Sequence, residues 1–198
     1  MKFRLGALVA LSALALSGCM TPIGPVEVTR FHQPAAATKL ARGTISIEAA
    51  PGMDPASLEL ATYRAAVSRE LVRLGYRQAP DGSGAQVALV RVERVSLMPG
   101  RDRSPVSVGM GGSTGSYGSG VGLGIGINLG GGPKEQVDTQ LGVMIKDRAS
   151  GETIWEGRAR FTVPVNAPQS QSQLGAPKMA AALFSGFPGN NGETVEVE

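Results

Sequence analysis

The chain holds one cysteine and one histidine, so the chemistry open to it is narrow. Cys19 follows Leu16-Ser17-Gly18 at the end of an apolar run. A thiol placed there can be exposed as the first residue of a processed chain and used for covalent attachment. His32 stands in a segment without an acidic or serine partner at a motif-like spacing. A catalytic base needs a nucleophile or an orienting group beside it, so His32 reads as a plain exposed side chain and no catalytic residue is predicted. Metal ligation is not predicted either: the sequence has no His pair, no Cys pair and no Asp-rich loop of EF-hand form. No cofactor is expected.

The segment before Cys19 has the parts of an export signal. Lys2 and Arg4 form a positive start, Leu5–Leu16 an apolar stretch of 12 residues, and Ser17-Gly18 a small-residue approach to a peptidase site between Gly18 and Cys19. A spanning helix takes roughly 20 apolar residues, so this stretch is too short to be one. The arrangement resembles the lipobox of bacterial lipoproteins. That resemblance implies a thioether-linked diacylglycerol on Cys19. Two or three acyl chains hold a protein firmly where one holds it marginally, at about 0.8 kcal/mol per buried CH₂. Met20 replaces the aspartate that retains many such proteins at the inner membrane, so the expected place is the outer membrane, lipid-anchored and facing the periplasm.

Without residues 1–18 the chain keeps seventeen basic and sixteen acidic residues, a balance of +1. Such a chain has no electrostatic footprint for nucleic acid. With Cys19 acylated no thiol remains for a disulfide, and packing must supply the stability. The expected organisation is a signal peptide at 1–18, a lipidated tether at 19–43 with a candidate first strand, and one α+β domain at 44–198 carrying a Gly-rich insertion at 109–132.

The elements that must carry any surface follow from periodicity. Val26–Phe31 and Thr44–Ala49 alternate as strands. Residues 54–74 read as one long amphipathic helix: Asp54 as cap, Pro55 at the first helical position, a stripe of Leu60, Tyr63, Val67, Leu71 and Leu74, and Gly75 as terminator. Gln86–Val95 is a strand. The 109–132 segment holds twelve of the 28 glycines, and there Val121, Leu123, Ile125 and Ile127 alternate with Gly122, Gly124 and Gly126. Those four apolar residues are the candidate contact surface. Gln140–Asp147 and Thr153–Val163 form a hairpin with a dry side holding Trp155 and a wet side where Glu156, Arg158 and Arg160 would pair across to Lys146. A polar loop at 166–173, a short helix at 177–184 and an edge strand at 194–197 complete the chain. The predicted fold is α+β: an antiparallel sheet with the long helix and the short C-terminal helix packed on it.

This order of parts, with Leu74-Gly75-Tyr76, Ile154-Trp155-Glu156-Gly157-Arg158-Ala159, Ala182-Leu183-Phe184, Phe187-Pro188-Gly189 and Gly192-Glu193-Thr194-Val195, resembles the bacterial lipoproteins grouped as domain of unknown function 4136, over about residues 24–198. The resemblance implies an envelope α+β domain and brings no catalytic residues. The expected function is a non-catalytic outer-membrane lipoprotein that supports envelope structure or assembly. Its partners would be the membrane, through the anchor, and an envelope protein. The alternative is a periplasmic module that shields a lipid or other apolar ligand along the Val121–Leu129 face. One prediction follows at once: the intact mass of the exported protein should start at Cys19 and carry acyl chains. A free thiol on that product would contradict it.

Overall fold

The structure is a computed structural model and describes residues 23–98, 106–113, 120–127 and 135–198. The expected signal peptide at 1–18, with Gly18, and Cys19 lie outside these residues, as does Leu129. Among the described residues nine strands form: β1 (Val26–His32), β2 (Thr44–Ala49), β3 (Arg77–Gln78), β4 (Gln86–Leu97), β5 (Val106–Ser113), β6 (Gly120–Ile127), β7 (Gln136–Asp147), β8 (Thr153–Pro164) and β9 (Thr194–Val197). Two α-helices accompany them, α1 (Leu58–Arg73) and α2 (Ser172–Phe184). Seven strands make one sheet in the order β3-β2-β4-β7-β8-β1-β9, and β5 pairs with β6 in a separate ribbon.

The sheet is mixed, which corrects the antiparallel sheet expected from the sequence. β2 runs parallel to both β3 and β4, while the β4–β7, β7–β8, β8–β1 and β1–β9 pairs are antiparallel. The cause is α1. A parallel pair needs a crossover of a dozen or more residues. The helix leaves one end of β2 and its 16 residues carry the chain back about 24 Å to the other end. The sequence reading treated this helix only as a cover for the sheet and missed that it is also the return path.

Two helix boundaries also differ. α1 starts at Leu58 rather than near 54 because Ser57 caps it, its Oγ accepting from the Leu60 N–H at 3.3 Å. Asp54 instead accepts from the Ala56 N–H at 2.9 Å, within the preceding turn. α2 starts at Ser172, inside the expected polar loop, and runs through Pro177. Pro177 has no N–H to bond the Gln173 carbonyl, but Gln173 and Pro177 are both exposed, so that carbonyl is on the solvent side of the helix.

Both helices pack on one face of the sheet. α1 lies against β2 and β4, α2 against β8 and β1, and the helices touch each other. Leu60, Tyr63, Val67 and Leu71 of the predicted stripe are all buried, over Ala88, Val90, Leu141, Val143, Ala159 and Phe161 from the strands. Full burial of one such aliphatic side chain contributes roughly 1.5–3 kcal/mol.

The segment read as a tether contributes β1 to the sheet, between β8 and β9. Arg30 fixes it there. Its side chain is 5% exposed, and its guanidinium donates to the carbonyls of Leu183 and Ala182, both at 2.9 Å. These are carbonyls of the last turn of α2, at its negative end; the Ala182 carbonyl also accepts from the Ser185 N–H at 3.2 Å. Desolvation lowers the Arg30 pKa, and the nearby Glu193 charge opposes that shift. Beside it, Trp155 is fully buried, stacks on Phe184 at 5.3 Å and meets Phe187 at 5.1 Å. Its indole N–H donates to the Pro188 carbonyl at 3.0 Å. The indole lies over Gly157, where a Cβ would come within 2.3 Å of the Trp155 ring and 2.8 Å of Leu183. Gly157→Ala should therefore destabilise the protein by about 1–3 kcal/mol, as overpacked cores do. A lowered urea midpoint with an unchanged slope is the expected readout.

Candidate functional site: the open sheet face

The helices leave the other face of the sheet uncovered. Strand alternation puts the odd-numbered residues of β4 and the even-numbered residues of β7 and β8 there. Register aligns them in rows: Arg91–Gly142–Arg158, Leu89–Met144–Glu156, and Glu93–Gln140–Arg160. A groove of about 570 Å³ follows these rows and is walled on one side by Ala50 and Pro51. That volume lies within the range of ordinary ligand pockets, about 300–1,000 Å³. Its floor dips at Gly142, which shows only backbone between two arginines. A Cβ there would have Arg91 Cβ as its nearest neighbour at 3.8 Å, so a larger residue would fit and would fill the groove.

The charges of this face are arranged differently from the expected cross-strand pairs to Lys146. Arg158 pairs along its own strand with Glu156 at 2.6 Å. Arg160 holds both oxygens of Asp138, at 3.0 and 3.1 Å, and Thr162 donates to the same carboxylate at 2.8 Å. Arg91 reaches Glu93 at 3.4 Å and the Pro51 carbonyl at 2.9 Å. Lys146 has no ion-pair partner among the described residues. A register shift between Ile145 and Lys146 sets it opposite Thr153. Sequence reasoning recognised the charged half of this surface but passed over Gly142. The available signal was a lone glycine within an otherwise alternating strand, which often marks close approach of another chain or ligand.

The other sequence-predicted residues fall elsewhere. Val121, Leu123, Ile125 and Ile127 all lie in β6. Register sets Ile127, Ile125 and Leu123 opposite Val106, Val108 and Met110 of β5, and Gly124 opposite Gly109. The ribbon is hydrogen-bonded as a sheet of its own, apart from the seven-stranded one. His32 is not the plain exposed side chain expected. It is half-buried at the C-terminal turn, its Nε2 lies 3.2 Å from the Gly189 carbonyl, and its Nδ1 is buried without a partner. Its backbone N–H donates to the Asn191 side chain at 2.9 Å. Among the described residues, no three His, Cys, Asp or Glu side chains cluster closely enough to hold a metal ion.

The sequence profile of domain of unknown function 4136 matches residues 44–189. The chain belongs to this family. The matched span runs from β2 to the turn at Gly189, so within the DUF4136 domain fall both the groove and the Trp155–Gly157–Pro188 packing. An uncharacterized protein of Zymomonas mobilis, ZMO1243, is 28% identical over 216 aligned residues, covering 88% of this chain and 80% of its own length. Among solved structures, a PDZ domain protein from Parabacteroides distasonis superposes with a TM-score of 0.51 at 11% identity. That match takes in 98% of this chain but 42% of the other, and it shows a shared fold alone. PelC from Paraburkholderia phytofirmans, solved as a dodecamer, gives a TM-score of 0.45 at 13% identity, over 81% of this chain and 95% of PelC.

The Asp138 cluster gives this DUF4136 face a pH signature. Burial alone would raise the Asp138 carboxyl. Hydrogen bonds from Arg160 and Thr162, with the Arg160 charge, outweigh it and hold the group below its ordinary value of 3.8. A carboxylate depressed in the folded state adds stability that is present above the unfolded value and is lost as pH falls through the folded one. The urea midpoint of the wild type should therefore drop between pH 6 and pH 3, and that of Asp138→Asn should drop less. Equal losses in the two proteins would show that the cluster adds no pH-linked stability.

Proposed function

We propose that this protein is a non-catalytic outer-membrane lipoprotein, anchored through acylated Cys19, that supports envelope structure or assembly by protein contacts made with its open sheet face. The observation that carries this reading is the asymmetry of the sheet. Two helices cover one face, while the other presents a groove of about 570 Å³ with both charge signs, an apolar wall and a bare-backbone floor at Gly142. A surface of mixed charge with Met144, Leu89 and Pro51 among the arginines suits a protein partner, whose interface would combine apolar contact with a polar rim. Arg91 and Arg158 are the groups best placed to meet a partner's carboxylates.

A second reading, a module that shields a lipid or other apolar ligand, draws on the ribbon. Val121, Leu123, Ile125 and Ile127 recur at every second position of β6. Lipid found with the natively extracted protein by mass spectrometry would favour that reading.

The direct test is photocrosslinking in cells. A benzophenone amino acid at Met144, in the groove, should give discrete adducts with an envelope protein. The same probe at Val72, half-exposed on α1, should not. Adducts of equal yield from both positions, or none from Met144, would contradict the proposal.

A further inference from the structure

Chain direction gives the sheet two unlike ends. At one of them β1 begins, β4 and β8 end and β7 begins, because register joins Leu97 to Gln136, Gln136 to Pro164, and Glu27 to Arg160. Both helices start at this end too. Arg94 of β4 donates to Glu59 in the first turn of α1 at 2.7 Å and to Ser172 at the start of α2 at 3.3 Å. The opposite end holds the turn at 148–151 and the ends of both helices.

Apolar exposure is concentrated at the first end. Eight large apolar side chains are exposed among the described residues, and six of them are there: Leu58, Val95, Leu97, Met98, Val165 and Leu174. Leu58 is 86% and Met98 78% exposed. Single exposed apolar residues need no explanation, but a gathering of them marks an interaction surface. Arg94 lies among them, and Glu59 neutralises its charge.

The chain that precedes the sheet reaches this same end. Cys19 stands seven residues before Val26, so the anchor sits within about 25 Å of the start of β1 even if the linking segment is fully extended. We propose that this end of the sheet seats in the interfacial region of the bilayer that holds the acylated Cys19. The lipid-anchored protein then stands end-on, with its open face turned along the membrane. This inference rests on the anchor reading above and adds the protein surface that meets lipid. The ribbon of β5 and β6 is inserted at this end, between Leu97 and Gln136. A lone two-stranded ribbon in hydrocarbon would leave the outer backbone groups of both strands unpaired. The contact is therefore interfacial and not spanning.

The test uses the lipidated full-length product in vesicles of phosphatidylethanolamine and phosphatidylglycerol. With Cys19 acylated, Leu58→Cys, Leu97→Cys and Val72→Cys each provide one thiol for an environment-sensitive dye. Dyes at 58 and 97 should shift to the blue and be quenched by lipids carrying a quencher on the acyl chain. The dye at 72, at the far end of α1, should do neither. Water-like emission at 58 and 97 would overturn the proposal. So would a blue shift without lipid quenching, which would place a protein rather than a bilayer against this end. The mass of the Cys19 product is read separately. An unacylated product that still shows the quenching pattern would remove the anchor and keep the lipid-seating end, whereas an acylated product without quenching would do the reverse.

Discussion

The architecture depends on a buried charge. Arg30 carries a guanidinium into the core and spends it on two carbonyls at the C-terminus of α2, with Gly189 packed close against its stem. Removing one partner of a buried charged hydrogen bond costs more than the bond itself contributes, because the other partner stays desolvated. The clamp therefore couples three things that are far apart in sequence: the N-terminal strand, the second helix and the C-terminal turn. It holds β1 inside the sheet in one direction, and that direction decides where the N-terminal segment leaves the body.

From that constraint the molecule acquires two distinct surfaces. The helices must bury their stripes, so they take one face and leave the other open. The chain must enter where β1 begins, and the same end collects the starts of both helices and the exposed apolar side chains of β4. An anchor at Cys19 would then bring that end to the membrane and leave the groove accessible from the side. On the readings proposed above, the open face and the apolar end would have separate tasks, one toward a protein and one toward lipid.

Much of this was legible from local pattern. The stripe of α1, the alternation of β7 and β8, and the dry side holding Trp155 follow from side-chain periods of 3.6 and 2. The misreadings are those that local pattern cannot resolve. The parallel pairing of β2 depends on where a helix returns the chain. A cap can be supplied by Ser57 or Asp54, and only the path of the preceding turn selects between them. Pro177 reads as the start of a helix, although a helix can carry it internally where the carbonyl it frees, here that of Gln173, is on the solvent side. Arg30 lies within the candidate strand Val26–Phe31, and nothing near it in sequence announces the carbonyls of Ala182 and Leu183 that it reaches. The groove was half visible: its charges were noted, but its shape comes from the absence of a side chain at Gly142, which no period reveals.

The central claim is that the sheet stands end-on at the membrane. Its direct measure is the height of the far turn above the bilayer, read by energy transfer from a donor at Ser150 to acceptors in the lipid headgroups. β7 has 12 residues, so the turn should stand about 40 Å above the anchored end. Transfer weak enough to place Ser150 at about that height is the predicted result. Transfer that places it at headgroup level would mean the sheet lies flat and would contradict the account.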